Sequence, residues 1–109
     1  MIDQSMIQTI ESAWEARAGW NSQCPPAGLA EAVEEAVRGL NNGSLRVAEK
    51  IGGAWVTHQW LKKAVLLSFR LADNEPMRAG PMTFYDKVPL KFSGADAAKL
   101  RASGVRIVP

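Results

Sequence analysis

His58 and Cys24 are the only histidine and the only cysteine in the chain, so they are the first places to look for acid–base, nucleophilic or metal chemistry. A catalytic histidine needs a nucleophile or a carboxylate beside it, and a metal site needs at least two further ligands at workable spacing. Cys24 is remote in sequence and no second histidine exists, so spacing alone builds neither arrangement. His58 reads as a residue at a strand-to-helix junction, hydrogen-bonded to backbone. Cys24 precedes two prolines in a loop. A thiol becomes reactive when a cation or a helix N-terminus lowers its pKa; a helix does begin just after it, but no base is placed, and Cys24 reads as incidental. The sequence places no catalytic residue and no metal ligand set in this chain.

A second chemical possibility lies in tryptophan and lysine together. Trp55 with Lys50, and Trp60 with Lys62 and Lys63, could offer stacking platforms beside cations for single-stranded nucleic acid. Trp60, however, is in phase with Ala64, Leu67 and Leu71, which is better explained by core packing, with Lys62 and Lys63 as a solvated helix edge. The net charge of +2 also supplies little attraction for a polyanion. The expectation is no nucleic-acid partner. The phosphate-binding, zinc-protease, dithiol and serine-hydrolase signatures are all absent.

These residues must be held by something. The 109 residues suit one domain, 47% apolar and 22% charged, which excludes wholesale disorder. One cysteine permits no internal disulfide and fits a reducing compartment. The N-terminal stretch lacks a secretory layout, and no apolar run reaches the roughly 18 residues of a membrane span. A cytoplasmic location and no membrane partner are expected.

Along the chain, Ser5 with Gln8 suggests a capping box, and Ile7, Ile10 and Trp14 follow at helical spacing until Gly19. WNSQCPPAG reads as a loop. Leu29, Val33, Ala36, Val37 and Leu40 form one stripe of a second helix that stops at Asn41-Asn42-Gly43, with Glu34 and Arg38 paired across a turn. LRVAEKI-GG-AWVTH reads as a hairpin in which Ile51 faces Ala54, Glu49 faces Val56 and Lys50 faces Trp55. One of its faces, carrying Leu45, Val47, Ile51, Ala54 and Val56, is expected to meet the helices, with Glu49 as a polar interruption. From His58 to about Ala72 a third helix is apolar over a wide arc, so a central, covered position is expected, with Lys63 and Arg70 marking the solvent side. PMRAGPM reads as a loop, and MTFYDKVPLKF as short strands bent at Pro89. ADAAKLRAS reads as a short helix capped by Ser93 or Asp96 and closed by Gly104, and VRIVP as a strand. The fold class is α+β: a small helical domain with a β-hairpin and a buried central helix.

The block LRVAEKIGGAWVTHQWLKKAVLLSFRL, followed in order by YDKVPLKF and VRIVP, closely resembles the N-terminal domain of the tetrahydrodipicolinate N-succinyltransferases. The likeness covers essentially the whole chain, weakly before residue 44 and strongly from 44 to 71. It implies a cytoplasmic homotrimer that transfers succinyl from succinyl-CoA to a dicarboxylate acceptor on the diaminopimelate route to lysine, with active sites between subunits. The family's larger C-terminal part is a left-handed parallel β-helix, so the expected organisation is a domain over 1–104 and, over 105–109, the start of the connection to a β-helix that this chain lacks. The family's catalytic carboxylates and CoA-binding surfaces belong to that part. The resemblance therefore implies a chain that binds no cofactor and is inactive alone. One residue carries over: the Arg in the family's closing segment contacts the dicarboxylate, and here it is Arg106 in VRIVP. Its guanidinium could hold a carboxylate through two parallel hydrogen bonds. The competing expectation, from the residues alone, is a non-catalytic structural or oligomerisation module.

Overall fold

The computed structural model describes residues 1–109 as α+β: four α-helices and two separate two-stranded antiparallel sheets. Helices α1 (Gln4–Glu15), α2 (Leu29–Asn42) and α3 (Gln59–Arg70) pack on one another and hold the core. Between α2 and α3 runs a hairpin of β1 (Ala48–Ile51) and β2 (Ala54–Thr57), and after α3 comes a second hairpin of β3 (Glu75–Ala79) and β4 (Met82–Asp86). Helix α4 (Ala97–Ser103) closes the order.

The core is a three-way seam. Ile10 and Ala13 of α1, Leu29, Ala32, Val33 and Ala36 of α2, and Leu61, Ala64 and Leu67 of α3 are all buried. Their spacing of three and four along each helix puts each set on one face, and the alanines let the helix axes approach. Each buried leucine contributes about 2 kcal/mol by leaving water. Trp14, Trp20, Leu40, Leu45, Val47 and Trp60 pack around the rim.

Local chemistry fixes the ends. Asp3, not Ser5, caps α1: its carboxylate accepts the Met6 N–H at 2.9 Å and the Ser5 hydroxyl at 2.6 Å. A carboxylate one position before the first turn outcompetes a hydroxyl inside it, because it reaches the exposed amide while carrying charge. Helix α1 stops at Glu15 and a short 3-10 turn, Arg17–Gly19, follows. Gly43 ends α2 at φ 83, a left-handed geometry that costs glycine nothing.

The first hairpin has the expected register, Glu49 opposite Val56, Lys50 opposite Trp55 and Ile51 opposite Ala54. Gly52 and Gly53 turn it at φ 58 and 82. Its packing differs from expectation. Only Leu45 and Val47, at its root, reach the helices; Ile51 is 51% exposed and Trp55 74%, and the strands project. The helices already seal their own seam, so the far end of the hairpin has nothing to cover.

Helix α3 also departs in detail. Its buried stripe is Leu61, Ala64 and Leu67, while Leu66 and Phe69 stand about 40% exposed. Lys63 and Arg70 are not a free solvent edge. Lys63 pairs with Glu11 of α1. Arg70 lies 5.4 Å from the Trp20 ring centre and donates from Nε to the Trp20 carbonyl at 3.2 Å. Both cations tie α3 back to the α1 side of the bundle, bringing a charge-assisted contact to an otherwise apolar seam.

The segment read as a loop, PMRAGPM, is instead half of the second hairpin, with Met77 opposite Phe84 and Ala79 opposite Met82. Gly80 at φ 60 followed by Pro81 suits a type II′ turn, and both strands are edges, where Pro76 is tolerated. Neither hairpin's strands nor α4 pack on another element, and no residue after Leu67 is buried. The radius of gyration is 16.6 Å, against about 13 Å for a compact domain of this length. No helix is long and apolar enough to cross a membrane.

Candidate functional site

Arg106 stands beyond α4. Asp96 caps that helix, its carboxylate accepting the Lys99 N–H at 2.8 Å, and Gly104 ends it at φ 70. The chain then leaves as VRIVP. This run is not a strand, because no neighbouring backbone edge lies alongside to complete a ladder. Arg106 is exposed and makes no ion pair, between Val105 and Ile107, themselves 47% and 60% exposed. It lines none of the clefts around the end of α2, the end of α3 and the second hairpin. The side chain is therefore free to meet a carboxylate, and the surface that would complete a pocket around it is not formed by its own neighbours.

His58 does have a carboxylate partner, contrary to the reading of its sequence surroundings. Its Nε2 lies 2.8 Å from Glu49 Oε2. The backbone contact that was expected also exists, but through the main chain: the His58 N–H donates to the Val47 carbonyl at 2.7 Å. The signal was present in the register. Glu49 faces Val56, and His58 lies two residues further on the same face, so the two side chains are diagonal neighbours. The pair satisfies the carboxylate that interrupts the apolar face and staples β1 to the start of α3. Both groups are partly exposed, and no hydroxyl or thiol nucleophile is bonded to the imidazole.

Trp60 is half-buried against the core, as its phase requires, and Trp55 is the exposed ring, opposite Lys50. Cys24 is a free, exposed thiol in the loop before α2. Its neighbours Ser22 and Gln23 do structural work, donating to the Asp73 carboxylate at 2.6 and 3.2 Å and so tying that loop to the end of α3. No group of three or more histidine, cysteine or acidic side chains is close enough to hold a metal ion.

Three helices packed on one seam, with a hairpin inserted before the third, make a small α+β helical domain. Residues 5–71, the three-helix body with its first hairpin, match the family described as tetrahydrodipicolinate N-succinyltransferase N-terminal. The chain belongs to that family. Over 107 residues, 97% of this chain, it is 57% identical to a 2,3,4,5-tetrahydropyridine-2,6-dicarboxylate N-succinyltransferase of Variovorax paradoxus. Over 106 residues it is 56% identical to the protein of that name from Acinetobacter baylyi. The chain spans 39% of the length of each of these relatives.

Proposed function

We propose that this chain is the acceptor-side domain of an enzyme that transfers succinyl from succinyl-CoA to tetrahydrodipicolinate. The observation that carries this reading is the identity of 57% across 97% of the chain to a relative of that name. In the reaction water adds to the ring imine of the acceptor and opens it to a ketone and a free amine. That amine attacks the thioester carbonyl, a C–N bond forms, the C–S bond breaks, and the amine proton is lost as the CoA thiolate takes one up. The domain's part is to orient the acceptor. Arg106 holds a carboxylate of the acceptor, and an orienting contact of this kind lowers the barrier by restricting motion before attack. Its exposure and lack of an ion-pair partner support this role.

On this reading residues 1–104 form the domain and 105–109 lead toward the part that binds succinyl-CoA and supplies the catalytic groups. The assembly is a cytoplasmic homotrimer serving lysine and diaminopimelate synthesis. The chain itself holds no cofactor, and neither nucleic acid nor membrane is a partner.

The test joins this chain to the C-terminal remainder of the Variovorax paradoxus relative and measures succinyl transfer. Arg106→Ala is expected to lower kcat/KM for the acceptor by about 10- to 100-fold, the range for losing a charge-assisted hydrogen bond. The KM for succinyl-CoA should stay unchanged. Arg106→Lys should recover only part of the loss, since an ammonium cannot reproduce the two-pronged contact. Acceptor kinetics unaffected by Arg106→Ala would remove this residue from the site.

A further inference from the structure

The molecule exposes more surface than a self-sufficient domain of its mass should carry. The accessible area is 8114 Å² for 11.9 kDa, against roughly 5,900 Å² for a folded monomer of that mass. The excess is more than the roughly 800 Å² that each partner buries in a standard protein interface. One group of exposed apolar side chains lies on the second hairpin and the segment just after it. Alternation puts Met77, Ala79, Met82 and Phe84 on one face of β3–β4, and Val88 and Leu90 extend it around a cleft of about 300 Å³. Phe84 is 52% exposed and Leu90 64%. A lone two-stranded hairpin is marginal in water without a surface to lie on.

A second feature of the same face points to the chemistry of that surface. Glu75 and Asp86 are directly opposite each other at the open end of the hairpin. Like charges in that position repel, and neither carboxylate has a cation within ion-pairing distance. An apolar face ending in two opposed carboxylates fits a surface with an apolar centre and an Arg or Lys at its border.

We infer that the β3–β4 face docks on the polypeptide that follows this domain in its relatives, through an apolar patch closed by a cation between Glu75 and Asp86. The occupant is named by length: the relatives extend well beyond the 39% that this chain spans, and the matched family is their N-terminal part. The inference rests on the proposed function and adds which face makes the contact.

The experiment compares the 109-residue chain with the same chain joined to the C-terminal remainder of the Variovorax paradoxus relative. Amide exchange over 75–90 should be fast in the first and slowed by orders of magnitude in the second. Asp86→Asn should leave the melting temperature of the short chain unchanged or slightly raised, because repulsion is relieved, and lower that of the joined protein. Phe84→Ser with Leu90→Ser should be near neutral in the short chain and destabilising in the joined protein. Equal exchange in both proteins, or Asp86→Asn acting with the same sign in both, overturns the docking face. So does protection in the short chain that grows with its concentration, which would name a second copy as occupant. Succinyl transfer by the joined protein reports on the proposed function separately, so an active protein with an unprotected hairpin sinks only this inference.

Discussion

Asp3 shows how much one exposed carboxylate can decide. The Ser5 hydroxyl and then the Met6 N–H hold its pKa below its ordinary value. A depressed carboxylate contributes stability that is present at neutral pH and lost as pH falls through its folded value. Asp3→Ala should therefore lower the melting temperature at pH 7, and the gap should close as pH drops below the usual carboxylate range, as thermal melts across pH would show. Glu35 behaves in the same direction, lowered by the N-terminal ammonium and then by Arg38. At this scale sequence reasoning was least reliable. Ser5 had the pattern of a cap and lost to a neighbour with charge, and Glu49 and His58 were each noted without being joined. Such pairings depend on side-chain reach, which periodicity does not encode. Arg106 enters the proposed function only through family likeness; its own neighbours describe an exposed arginine and no more.

Elements were read better, wherever a repeating spacing met a strong stop. Leu29, Val33 and Ala36 followed by Asn42-Gly43 located α2, and Gly52-Gly53 set the first hairpin's register residue for residue. The second hairpin was half missed because Pro76 and Gly80-Pro81 look like a loop until both strands are known to be edges. The face of the first hairpin that was expected to meet the helices projects instead, since alternation tells which residues share a side and not what lies opposite. One contact shows how closely α2 meets the chain that follows it. A Cβ on Gly39 would stand 2.5 Å from Leu45 Cδ1 and 2.8 Å from its Cγ. Leu45 cannot retreat freely, because its N–H donates to the Gly39 carbonyl at 3.0 Å. Gly39→Ala should therefore destabilise in thermal unfolding by about 1–2 kcal/mol, the overpacking cost exceeding the roughly 1 kcal/mol helix-propensity gain. Within α3, Leu61→Ala should cost about 2–5 kcal/mol by the same measurement, whereas Phe69→Ala on the open side should cost far less.

At the scale of the whole molecule the cohesive unit is the three-helix body. The family match over 5–71 coincides with the region that holds every buried residue. A chain ending at Leu71 is expected to keep its helical circular dichroism and to melt cooperatively within several degrees of the 109-residue chain. Loss of cooperativity would show that 72–109 shares in the core. The α+β class could be read from the sequence, but the projecting arms could not, because residue pattern records apolar faces without recording whether the chain itself covers them. The overall extents, 41 by 41 by 22 Å, carry a further consequence. A slab two helices thick has no depth: hardly any point inside it is more than one side-chain layer from bulk solvent. Such a body can grip a ligand from one side but cannot dry it, so any step requiring a low-dielectric chamber must borrow its remaining walls from another mass of protein.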